Sequence, residues 1–147
     1  MEALILNELP KTVPFAEHVG VALTQANATG GAGSLDQRRE IENHIKSVHA
    51  GALFTLAETT AAGELTALLF NKITKLIIVV SSAEVAFMKK ARGKIEAVSE
   101  VRATLDEVNA SLENSGTAEF DAKVNLTDED DDTVAEITFR FHARNRT

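Results

Sequence analysis

The sequence predicts an α+β fold: a curved, antiparallel six-stranded sheet wrapped around one long central helix. Three observations carry this. Segment 50–70 is apolar on nearly every side, with Glu58 and Glu64 its only charged residues, and a helix without a polar face is a buried helix. Two stretches before it and four after it alternate apolar and polar side chains at the period of a strand. Those stretches follow one another through short turns, as in a sheet built of hairpins.

The elements follow in order. Residues 2–8 are predicted as a short helix around Leu4, Ile5 and Leu6, with Pro10 and Pro14 as punctuation and one more helical turn over Phe15–His18. Val19, Val21 and Leu23 alternate with Gly20, Ala22 and Thr24 as a first strand. Gly30, Gly31 and Gly33 mark a hairpin turn. A second strand is expected over 34–45, with Leu35, Ile41, Asn43 and Ile45 on one face. The helix follows, its small residues Ala57, Ala61, Ala62 and Gly63 allowing a sheet to come close.

Segment 76–88 is predicted as a long strand whose first half is apolar on both faces, the mark of a central strand. Phe87 stands near its end, and a basic turn, 89–93, follows. Ile95, Ala97, Ser99 and Val101 form the inward face of the next strand. Leu105, Val108 and Leu112 at helical spacing give a short surface helix ending near Gly116. Phe120, Ala122, Val124 and Leu126 line a fifth strand. An acidic turn, 128–132, leads to a sixth, with Ile137, Phe139 and Phe141 inward and Glu136, Arg140 and His142 outward.

One domain over residues 1–147 is enough for one good core. No cysteine is present, which excludes a disulfide framework, a thiolate zinc site and a cysteine nucleophile. A net charge of -7 with seven Phe, no Tyr and no Trp argues against nucleic acid as a partner. No apolar run reaches the length of a membrane span. The first residues lack the basic and long apolar regions of a signal peptide, so a cytoplasmic location is expected.

Chemistry concentrates in 43–64, NHIKSVHAGALFTLAETTAAGE. Glu58 lies about two turns inside the predicted helix. Its helical neighbours Phe54, Thr55, Ala61 and Ala62 include no cation. Desolvation should raise the pKa of such an acid, which suits a base or a nucleophile. His49, Ala50 and Gly51 stand where the helix begins, and free peptide N–H groups there attract an anion or an oxyanion. An acid beside free amides suggests acyl transfer.

Asn43, then His49-Ala50-Gly51, then Glu58-Thr59 resembles the signature of hotdog-fold acyl-CoA thioesterases of the phenylacetyl-CoA thioesterase-like branch. The segment VSSAEVAFMKKARGKIEA is similar to that family's strand, basic turn and strand. The resemblance spans about Phe15 to Arg144. It implies hydrolysis of an acyl-CoA thioester without metal or cofactor, in a homodimer or dimer of dimers with its site between subunits. Glu58 would activate water or attack directly. The N–H of Ala50 or Gly51 would hold the oxyanion. Asn43 would orient the water or the acid, His49 would shape the helix start, and Thr59 would contact Glu58 or the substrate. Phe87, Lys89, Lys90 and Arg92 would meet the substrate, the cations at the coenzyme A phosphates. The sequence departs from the family in Ala50, where a Gly is usual, and in Glu58, where Asp is commoner. Ala50 keeps open a non-hydrolytic acyl-CoA or acyl-carrier-binding protein.

Other patterns carry no chemistry. Gly31 and Gly33 are followed by Asp36, which breaks a nucleotide-loop match. The run Asp128–Asp132 lacks EF-hand spacing and reads as a solvated turn. His44 and His49 make no metal site, and neither HExxH nor G-x-S-x-G occurs.

Overall fold

In a computed structural model describing residues 1–147, the chain forms helices α1 (Glu2–Thr12) and α2 (Pro14–Val19), strands β1 (Ala22–Asn27) and β2 (Gly30–Asp36), and helix α3 (Ala50–Leu68). It continues through β3 (Leu76–Phe87), β4 (Lys94–Val101), α4 (Leu105–Ser115), β5 (Thr117–Thr127) and β6 (Thr133–Asn145). The six strands make one sheet in the order β1-β2-β4-β5-β6-β3, with every pairing antiparallel. Helix α3 packs across β1, β2, β4, β5 and β6. This is the expected architecture.

The core forms where α3 meets the sheet. Leu53, Leu56, Ala57, Ala61 and Leu65 meet Ile95, Ala97, Val124, Leu126, Ile137 and Phe139, all buried. Phe54 and Phe139 meet edge to face at a centroid distance of 5.2 Å. Helix α4 begins as a capping box: Thr104 Oγ1 accepts from the Glu107 amide while the Glu107 carboxylate accepts from the Thr104 amide. It ends at Gly116 in the left-handed conformation.

Four local expectations are corrected. Residues Gly30–Gly33 lie in β2, not in the turn, which is made by Ala28 and Thr29; the Asn27 side-chain oxygen accepts the Thr29 amide at 2.9 Å. The glycines serve close packing. A Cβ on Gly31 would lie 2.5 Å from Ser99 Oγ and 2.7 Å from the Thr60 carbonyl oxygen, and one on Gly33 would lie 2.6 Å from Thr60 Oγ1. The second strand stops at Asp36, and Asn43 sits in a turn instead of on a strand face. The first strand starts at Ala22, because Val19 ends α2 and Gly20, at φ 92°, caps it.

The fourth correction concerns β3. It is an edge strand and not a central one. Val79 and Phe87 are about half exposed. The opposite edge is treated differently. Helix α1 lies on β1, and the Glu2 carboxylate accepts from the Ala26 amide at 2.9 Å and from Asn27 Nδ2 at 2.8 Å. Edge backbone that is otherwise open to a stray strand is thereby covered. Along β3 nothing in the chain does this.

Candidate active site

The turn ahead of α3 is built by Asn43. Its side-chain oxygen accepts from the amides of Ile45 (3.1 Å) and Ser47 (3.0 Å), and its Nδ2 donates to Ser47 Oγ at 2.8 Å. Lys46 takes the left-handed conformation between them. The turn delivers His49 as the helix N-cap, pinned by its own amide donating to the Ile41 carbonyl at 2.8 Å.

At the helix start the donors divide unequally. The Gly51 amide donates to His49 Nδ1 at 2.8 Å, and the amides of Ala52 and Leu53 donate to the His49 carbonyl. The Ala50 amide has no acceptor, and Ala50 is exposed. It is therefore the amide free for an anion. A cavity of about 250 Å³ opens in front of it, lined by Asn43, Ser47, Leu53, Phe87, Lys89 and Lys90 among others. The structure thus brings Asn43, Ala50, Phe87, Lys89 and Lys90 together.

Glu58 lies elsewhere. It is eight residues beyond Ala50, about 12 Å along the helix axis, and it borders a different groove of about 530 Å³ between α3, β3 and the end of α1. It is half-buried, and desolvation raises its carboxyl pKa above the ordinary range with no hydrogen bond or charge opposing it. No arginine or lysine clamps it. Within one chain the acid and the free amide do not share a cavity. Thr59 is buried, donates back to the Thr55 carbonyl at 2.8 Å and lines neither cavity.

The basic turn is not uniform. Lys89 Nζ lies 3.0 Å from Asp128 and 2.8 Å from Asp132, which raise its pKa; Lys89 in turn lowers that of Asp128. The acidic turn is thus folded onto the basic one, and the Glu129 carboxylate accepts the Lys94 amide at 3.0 Å. Lys90 and Arg92 form no ion pair and face a charged cleft with Asp128, Glu129 and Asp130.

A second acid of α3 escaped the sequence reading. Glu64 is buried, accepting from Ser99 Oγ at 2.6 Å and from the Val101 amide at 3.0 Å. It ties α3 to the end of β4. The signal was present, since Ser99 falls on the inward face of an alternating strand and needs a buried partner.

Comparison with known proteins gives the family and the fold. Residues 2–142 match the family described as Domain of unknown function (DUF4442). No curated protein sequence matches the chain. Among solved structures, PA5026 of Pseudomonas aeruginosa, a protein of unknown function named a probable thioesterase, is 24% identical with a TM-score of 0.85, over 99% of this chain and 97% of that one. The Escherichia coli PaaI protein from the phenylacetic acid degradation operon is 16% identical with a TM-score of 0.71, over 99% and 94%. A variant of the thioesterase SAV0944 from Staphylococcus aureus is 14% identical with a TM-score of 0.71, over 90% and 99%. At these identities the likeness is one of fold. No helix is long and apolar enough to cross a membrane. The chain belongs to the DUF4442 family and carries the hotdog fold.

Proposed function

We propose that the protein hydrolyses acyl-CoA thioesters, and does so as a homodimer. The observation that carries this is the pairing of an unpartnered, desolvated Glu58 on an apolar groove with a free Ala50 amide at the start of the same helix. The two are too far apart to act on one carbonyl within a single chain. The bare edge of β3, with Val79 and Phe87 exposed, offers a second copy a strand to pair with. Such pairing would bring Glu58 of one copy toward the helix start of the other.

In that site Glu58 takes a proton from water, and the water oxygen attacks the thioester carbonyl carbon. The developing oxyanion is held by the Ala50 N–H, and the helix dipole favours its charge. Collapse of the tetrahedral intermediate breaks the C–S bond. The thiolate takes up the proton, leaving the free acid and coenzyme A. Direct attack by the carboxylate, with water cleaving the resulting anhydride, gives the same products. Asn43 acts by holding the turn and His49 by capping the helix. Lys90 and Arg92 meet the phosphates of coenzyme A, while Lys89 is kept by the acidic turn.

The test is thiol release from a panel of acyl-CoA thioesters, with Glu58→Ala beside the wild type. Turnover in the wild type that is lost in the variant supports hydrolysis. The Ala50 methyl, which narrows the space at the free amide, favours one alternative, an acyl-CoA binder without turnover; binding without thiol release in either protein would establish it. Val79→Lys, placing charge on the bare β3 edge, should give a monomer in sedimentation that has lost the activity.

A further inference from the structure

The groove beside Glu58 carries opposite charges at its two ends. Two contacts fix its direction. Phe54, one turn before Glu58, meets Phe139 at a centroid distance of 5.2 Å, while the chain leaving α3 delivers Leu76 to pair with Asn145. Helix α3 and strand β6 therefore run in the same sense, and Phe141 in the groove wall falls near the level of Glu58. Thr66, eight residues beyond Glu58, lies roughly 12 Å further along the axis. Arg146 lines the groove at that remote end, where its amide donates to the Lys75 carbonyl at 2.9 Å beside the Leu76–Asn145 pair. Acid and cation stand at opposite ends, with aliphatic residues of α3 and β3 between them.

Arg146 is also the lining residue with donors to spare. Thr12 Oγ1 donates to the Leu9 carbonyl at 2.8 Å and Thr66 Oγ1 to the Ala62 carbonyl at 2.7 Å, so both hydroxyl protons are taken. The Arg146 guanidinium forms no ion pair, and neither does the adjacent Lys75 ammonium. In a chain of net charge -7, these two exposed cations have no acid beside them. Resting on the thioesterase reading of Glu58, we infer that the acyl group of the substrate ends in a carboxylate and that Arg146 receives this far end. The thioester carbonyl lies at Glu58, the methylenes follow the aliphatic walls, and the carboxylate meets the guanidinium, whose planar fork matches two carboxylate oxygens. A separation of roughly 12 Å exceeds the Debye length of about 8 Å at physiological salt, so Glu58 does not repel the incoming anion. An extended chain advances roughly 1.2 Å per bond, judged from 3.3–3.6 Å per three backbone bonds, and about ten bonds make the span.

The experiment compares thiol release from suberyl- and sebacyl-CoA with that from octanoyl- and decanoyl-CoA, and titrates the matching non-hydrolysable thioethers by calorimetry. The wild type should favour the carboxyl-ended member of each pair about tenfold, through KM and Kd, not through kcat. Added salt should reduce the preference. Arg146→Gln should bring the two members of each pair level, and Arg146→Lys should keep part of the difference. Arg146 is exposed and unpaired, so these replacements leave the core intact. A methyl-ended chain bound as well as its carboxyl-ended counterpart, or a preference that survives Arg146→Gln, would overturn the assignment. Thiol release without the preference would leave the hydrolase standing and remove the carboxylate. The preference in thioether binding, with no thiol release from any substrate, would do the reverse.

Discussion

Nδ1 of His49 accepts the amide of Gly51 at 2.8 Å, and this one bond decides which donor of the central helix is free. It consumes the Gly51 N–H and leaves that of Ala50. It also requires that Nδ1 carry no proton. A Cβ on Gly51 would meet His49 Nδ1 at 3.1 Å, so ring and glycine are fitted to each other. His49→Ala removes the cap and should cost about 1 kcal/mol in urea denaturation. His49→Asn, with a short side-chain acceptor at the same place, should recover most of it. Equal stabilities for the two variants would show that the cap contributes nothing.

Glu58 should set the pH dependence of turnover. Its carboxyl pKa is raised by burial, so the base form is reached only above the ordinary carboxylate range. The rate should rise with pH through an inflection above that range. Glu58→Gln should lower kcat by about 10²–10⁴ and abolish the inflection.

The same shift affects stability. The folded protein binds the Glu58 proton more tightly than the unfolded chain does. Glu58 therefore costs no stability below the unfolded pKa, and destabilises increasingly as pH rises from there through the raised folded pKa. Glu58→Gln should be the more stable protein at neutral pH, with the difference vanishing in acid. Denaturation midpoints at several pH values check this; a difference that grows toward low pH would contradict it.

Glu64→Ala strands the Val101 amide and Ser99 Oγ inside the protein. A stranded buried polar group costs about 1–3 kcal/mol, so unfolding should need distinctly less urea. Thiol release per folded molecule should hardly change, because Glu64 borders neither cavity of the site. Loss of kcat at full stability would place it in the chemistry instead.

Gly31 and Gly33 set the distance between sheet and helix. Gly31→Ala and Gly33→Ala should each cost about 1–3 kcal/mol by overpacking, since Thr60 and Ser99 already fill the space a Cβ needs. Gly116→Ala probes a different cost. Its added Cβ meets nothing within 4 Å, and only the backbone at φ 76° opposes it. Thermal melts of the three variants separate crowding from backbone strain.

The sequence by itself determined the sheet-and-helix architecture and the inward faces of β4, β5 and β6. Burial must follow the period of the backbone, so Ile95, Ala97, Phe120, Val124, Ile137 and Phe139 could point nowhere else. It also singled out Glu58, because an acid with no helical partner is visible in one dimension. What it left open depends on neighbours distant along the chain. Glycines at a turn and glycines under a helix look alike until Thr60 and Ser99 are seen above them. An apolar strand reads as central whether its second side meets a strand or borders the open groove of β3. Which amide His49 takes, which cation the acidic turn captures, and how far Glu58 stands from Ala50 are matters of angle and distance. Residue order fixes periodicity, but those contacts exist only once helix and sheet have packed.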